Sequence, residues 1–252
     1  MSVDKPSRLF RAIRSAVKLV YRPFAFEGLE NLPKDAPAVL VGNHSQLHGP
    51  LCMELYAPRP HYTWCAAEMM SFKEVPGYAY QDFWSKKPKL LRPLFKLVSY
   101  LIAPLCYVLF NNARVIPVYR DTRLLRTFKL SAQRLSEGAD VVIFPESYTP
   151  RNNIIYEFQK GFADVALYYR HKSGQNVHFV PMYLCPSLKK VVLGKPTMVD
   201  FSLPLKQETE RVREYLMDEI TSLALSLPPH RVIPYPNIPK KEYPISKQEG
   251  IQ

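Results

Sequence analysis

Short apolar runs, each followed by a turn and a stretch of helical spacing, constrain this chain more than any other feature. Residues 38–41, 62–66, 114–119, 140–144 and 178–184 read as strands. They are largely apolar instead of alternating, as strands buried on both faces are. Between them, Leu124, Leu125, Phe128, Ala132 and Leu135 mark one helical face, closed by Gly138. Phe162, Val165, Ala166 and Tyr169 mark a second, with Gly174 after it, and residues 51–56 begin another. Val212, Leu216, Ile220, Leu223 and Leu227 mark a long one. Residues 191–193 and 197–201 read as a hairpin around Gly194-Lys195. Strands alternating with helices predict a single α/β domain, a mainly buried mixed sheet flanked by helices. A chain of 252 residues has ample length for one such core.

The charge is less ordinary. A formal net charge of +12 predicts attraction to polyanions: an anionic membrane, phosphate-bearing substrates or nucleic acid. The last has only charge behind it, because no helix-turn-helix, ribonucleoprotein or zinc pattern appears. Residues 5–22 form a basic amphipathic pattern that Pro23 ends. Leu9, Phe10, Ile13, Val17, Val20 and Tyr21 fall on one face, with Arg8, Arg11, Arg14 and Lys18 among the cations elsewhere. Such a helix lies in a lipid interface or packs on its own domain with a solvated basic face. Residues 86–120 carry no acid and enclose an apolar segment, 97–110, interrupted by Pro104. It reads as a buried helix or a membrane-dipping hairpin, and no run reaches the ~18–20 apolar residues of a membrane-spanning helix. Cys52, Cys65, Cys106 and Cys185 lack metal-type spacing and read as reduced core thiols. The proline-rich stretch beyond Pro228-Pro229 reads as extended and partly disordered.

Strand ends carry the candidate chemistry. His44, Arg120 and Glu146 each follow an apolar strand, and the strand ends of an α/β sheet gather at one site. A neutral imidazole accepts a proton from an attacking hydroxyl near cellular pH. An Arg grips phosphate bidentately. Glu146 would bind a substrate hydroxyl or orient that Arg.

In order along the chain, several blocks resemble the PlsC-type glycerolipid and lysophospholipid acyltransferases. Asn43-His44 and the residues after it resemble their Asn-His-x-x-x-x-Asp motif. Ala67-Glu68-Met69 and Val75-Pro76-Gly77-Tyr78 resemble the second block. Val115 to Arg120 resembles the block that ends in a phosphate-binding Arg, and Phe144-Pro145-Glu146-Ser147 resembles Phe-Pro-Glu-Gly. Phe158-Gln159-Lys160-Gly161 and Phe179-Val180-Pro181-Met182 resemble the downstream blocks.

The resemblance spans roughly residues 30–200. It implies transfer of a fatty acyl group from acyl-CoA or acyl-carrier protein to a lysophospholipid or glycerol phosphate. His44 would be the base and Asn43, Arg120, Glu146 and Ser147 would bind substrate, with no metal or other cofactor. The basic amphipathic N-terminus and the basic-apolar middle segment fit a peripheral protein at the cytosolic face of an anionic membrane. The division would be a membrane-surface helix at 1–24, an acyltransferase-like domain at 25–227 and a tail at 228–252.

One departure is sharp. Where the family's Asp orients the imidazole, this chain has Gly49. Glu54, Glu68, Asp82 or His48 would have to take its place, or else the fold has kept a lipid-binding or scaffold role with weakened catalysis. Arg151 stands near the position of a second family Arg and is a candidate to replace it.

Overall fold

The structure, a computed structural model, describes residues 6–84 and 88–247. Lys5, Lys86 and Lys87 of the basic segments, and residues 248–252 of the tail, lie outside the described residues. In chain order the strands are β1 (Ala25–Glu27), β2 (Ala38–Gly42), β3 (His61–Ala66), β4 (Val115–Val118), β5 (Asp140–Ile143), β6 (Glu146–Pro150), β7 (Tyr156–Phe158), β8 (His178–Cys185) and β9 (Lys190–Leu193). The α-helices are α1 (Arg8–Val20), α2 (His48–Tyr56), α3 (Val75–Ala79), α4 (Arg92–Asn112), α5 (Leu124–Ser136), α6 (Val165–Ser173) and α7 (Leu205–Ser226). The main sheet runs β1-β9-β8-β2-β5-β3-β4, and β6 and β7 form a separate antiparallel pair.

The chain divides into two compact units. The larger comprises residues 22–63 and 128–252. At its centre β2 lies between β8 and β5, parallel to both. All five residues of β2 are buried, so both faces of the sheet are covered. This explains the continuous apolar runs: alternation disappears when neither face meets water. Because β2, β5 and β8 run in one direction, their carboxyl ends lie side by side, with Gly42 opposite Met182 and Val41 opposite Ile143.

The hairpin expected around Gly194-Lys195 is absent. β9 instead pairs with β8, Cys185 opposite Lys190, and Thr197 then bridges Phe179 on the same strand. The eight residues of β8 thus partner both segments, and the turn falls earlier, where Lys189 takes a positive φ of 54°. Gly138 and Gly174 do end α5 and α6 in the left-handed conformation, at φ 83° and 74°.

The proline-rich stretch is ordered over its described part. Arg231 bridges Ile245, Val232 N–H donates to the Pro244 carbonyl, and Ser246 N–H donates to the His230 carbonyl. These bonds close residues 231–245 into a loop. Its base is fixed by His230, which is buried and bonded to the Tyr183 hydroxyl (2.7 Å), to Ser246 Oγ (3.1 Å) and to the Pro228 carbonyl (2.8 Å).

The smaller unit comprises residues 1–21 and 64–127. α4 is continuous through Pro104, so neither a hairpin nor a buried helix forms. The bond lost at proline is a local cost; α4 packs on α3, and Ser99 and Ala103 are its buried residues. Elsewhere the helix is bare: Leu94, Leu97, Tyr100, Leu101 and Leu105 are exposed, as is Leu90 in the turn before it, to 90%. Among the described residues one helix, Lys89–Asn112, is long and apolar enough to cross a membrane by length and composition. Sequence reading missed it because the charges at Lys89, Arg92 and Lys96 and the proline broke the apolar run. α1 caps itself with the Ser7 hydroxyl on Phe10 N–H (3.2 Å), and Ser7 N–H donates to Asn112 Oδ1 (2.7 Å). Of α1 only Phe10 is fully buried, while Leu9, Leu19 and Val20 are exposed.

Candidate active site

The candidate site lies in the larger unit, at the carboxyl ends of β2, β5 and β8. Leaving β2, Asn43 is buried and lashed to β8. Its Oδ1 accepts from Leu184 N–H (2.7 Å), and its Nδ2 donates to the Leu184 carbonyl (3.0 Å) and to Ser45 Oγ (2.8 Å). All of these partners belong to the protein. These bonds fix the start of the loop.

His44 follows. Its backbone N–H donates to Glu146 Oε2 at 2.6 Å, and Tyr156 N–H donates to Glu146 Oε1 at 3.0 Å. Glu146 is 2% exposed. Burial pushes its carboxyl up to about 7, with the two backbone donors pulling the other way. Its bonds hold the His44 loop to the β6–β7 pair, so both oxygens of the expected substrate ligand meet backbone N–H groups. Ser147 is partly exposed beside it, and its Oγ accepts from Thr149 N–H (3.2 Å).

The chain then turns sharply. Ser45 and Gln46 both take positive φ, 46° and 55°. This region is uncommon for residues with a Cβ, and such strain concentrates at functional sites. The turn brings the Gln46 carbonyl back onto His44 Nδ1. A carbonyl only accepts, so Nδ1 carries the proton and Nε2 is the basic nitrogen of the neutral ring. Phe144 and Tyr235 approach the imidazole edge-on, with centroids at 5.3 and 5.4 Å. Tyr148 packs in turn on Tyr235, 5.1 Å between centroids. The Gln46 side chain donates to the Pro236 carbonyl (3.3 Å) and to the Tyr243 hydroxyl (3.0 Å). The closed 231–245 loop therefore covers the histidine turn, a contact that no local sequence signal announces.

A main-chain carbonyl stands at Nδ1, where the sequence prompted a search for a carboxylate; the Asp82 side chain lies outside the described ones. Gly49 is the second residue of α2 and is buried. Its N–H donates to the His44 carbonyl at 3.0 Å. A Cβ at Gly49 would lie 2.7 Å from that carbonyl oxygen and 2.9 Å from Phe144 Cε1. A side chain at this position has no room.

Arg151 does not replace the family's second Arg. It is bound to Glu214 (2.9 Å), Asp218 (2.8 Å) and Glu157 (3.4 Å), which ties the segment after β6 to α7. Arg120 belongs to the smaller unit, where it is exposed just beyond β4.

Fold and site together define an α/β protein with a histidine fixed, Nδ1 on a main-chain carbonyl, at the carboxyl edge of its parallel strands. A family model described as Acyltransferase matches residues 83–185, which include Arg120, Phe144 to Ser147 and Val180-Pro181. The matched segment is under half of the chain and starts after His44. Among solved structures, the chain is similar to the 1-acyl-sn-glycerophosphate (LPA) acyltransferase PlsC from Thermotoga maritima. They share 17% identity over 85% of this chain and 79% of that one, with a TM-score of 0.47. No curated protein matches.

Proposed function

We propose that the chain transfers a fatty acyl group from acyl-CoA or acyl-carrier protein to a hydroxyl of a lysophospholipid or glycerol phosphate, with His44 as general base. The observation that carries this reading is the bond from His44 Nδ1 to the Gln46 carbonyl, which leaves Nε2 as the proton acceptor. As the acceptor hydroxyl attacks the thioester carbonyl, its proton passes to Nε2. Collapse of the tetrahedral intermediate breaks the C–S bond, and the thiolate takes that proton back. No covalent enzyme intermediate is required. A neutral carbonyl orients the ring as the family's Asp would, without the negative charge that stabilises the imidazolium. Slower turnover than a carboxylate-backed site follows.

The acceptor would be taken from the cytosolic face of an anionic membrane. Support comes from the exposed apolar row of α4 and the basic, half-bare α1. α4 would lie along the lipid surface, because one side of it packs on its own unit. The test is acyl transfer by the purified chain to lysophosphatidate in detergent. Equal turnover in wild type and His44→Ala removes His44 as base. No turnover over a broad panel of acceptors favours the scaffold role, which the missing carboxylate makes the second reading.

A further inference from the structure

A pocket of about 230 Å³ opens beside the histidine turn, lined by Gln46, His48, Ser187, Arg231, Lys240 and Tyr243, with Ile233. That is room for several waters at about 30 Å³ each. Among the described residues, no carboxylate lines it, and neither Arg231 nor Lys240 forms an ion pair. The contrast lies on the same unit. A larger cavity of about 840 Å³, between residues 160–164 and α7, is also rich in cations, but among the described residues three of its four, all but Lys206, are ion-paired. Lys160 pairs with Glu210, Arg211 with Glu208, and Arg213 with Glu157, Glu210 and Glu214.

In the smaller pocket the positive field is uncompensated. Burial, then Lys189 and Lys240, hold the His48 imidazole below its ordinary value. Tyr243 accepts from Gln46 Nε2, so its own proton is available to a ligand oxygen. A planar guanidinium, an ammonium and a phenol converging without a counter-charge match a phosphate monoester.

We propose that this pocket is a phosphate-monoester subsite, built by the 231–245 loop against the histidine turn. It deepens the acyltransferase reading and rests on it for the identity of the ligand: the phosphate of the acceptor or that of CoA. Gln46 couples the two places, since its carbonyl holds His44 and its side chain holds Tyr243.

Binding of inorganic phosphate to the full chain, read by calorimetry and by the ring resonances of His48, tests the subsite directly. Arg231→Gln and Lys240→Gln, both at exposed positions, are each expected to weaken it about tenfold, the worth of one charge-assisted hydrogen bond. Lys172→Gln, at the end of α6, serves as the control. Equal phosphate affinity in wild type and both variants overturns the proposal, whatever the enzyme assay gives. Turnover then distinguishes the sources. A fall of about tenfold in the preference for lysophosphatidate over monoacylglycerol assigns the pocket to the acceptor. A rise in KM for acyl-CoA but not for acyl-carrier protein assigns it to the donor. A chain that binds phosphate through Arg231 and transfers no acyl group keeps the subsite and refutes the acyltransferase reading.

Discussion

Gly49→Ala sets two magnitudes of opposite sign against each other. Helix propensity alone makes Gly→Ala in a helix stabilising, by about 1 kcal/mol. The structure argues the reverse. The added carbon would sit 2.7 Å from the His44 carbonyl oxygen and 2.9 Å from Phe144 Cε1. The first is a backbone atom fixed by the Glu146 and Gln46 bonds and cannot swing away. Inserting a methyl into such a site costs about 1–3 kcal/mol. The net expectation is a loss of about 0–2 kcal/mol, or roughly 0–8 °C in Tm for a chain of this size. Gly49→Asp, which restores the family's residue, adds a buried carboxylate whose natural target is already taken by the Gln46 carbonyl. It is expected to lose about 1–3 kcal/mol more and to transfer acyl groups more slowly than wild type. Urea unfolding and initial rates on lysophosphatidate measure both variants. An alanine variant more stable than wild type, or an aspartate variant that turns over faster, refutes the steric account of Gly49.

The remaining expectations concern other parts of the molecule. His44→Gln should lower transfer about 10²–10⁴-fold with little change in unfolding midpoint; equal rates exclude His44 as base. The Glu146 carboxyl, raised to about 7 by burial, keeps its proton in the folded chain after the unfolded one has released it. Wild type should therefore lose about 3 kcal/mol relative to Glu146→Gln as pH rises from about 4.5 to 7; pH-independent differences in urea midpoint would contradict this. Leu94→Ser/Leu97→Ser/Leu101→Ser should abolish co-sedimentation with anionic vesicles while leaving the unfolding midpoint nearly unchanged. Undiminished sedimentation, there or on removal of residues 1–22, counts against the membrane surface.

The strands and most helices were legible because burial on both faces of β2 and β5 leaves continuous apolar runs, and Gly138 and Gly174 mark real helix ends. The gathering of His44 and Glu146 at neighbouring strand ends followed from the parallel order. Their roles did not. Residue type does not encode that Ser45 and Gln46 adopt positive φ, so the carbonyl at Nδ1 had no signature. Glu146 looked like a ligand because a carboxylate at a strand end can face substrate or backbone, and only the fold decides. The missed helix was a matter of counting: Pro104 and three terminal cations hid a continuous apolar surface.

The loop closed by His230 and Ser246 gives the site a place in time. Gln46 and Pro236 are 190 positions apart in the chain, so on the ribosome the histidine turn emerges long before the segment that covers it. Such contacts of high sequence separation form late and slowly. Until then the strained turn at Ser45 and Gln46 lacks its outer support, and the cationic pocket has only one wall. A nascent chain would thus be able to assemble its sheet before it owns a finished site, and biogenesis itself would delay the onset of lipid chemistry.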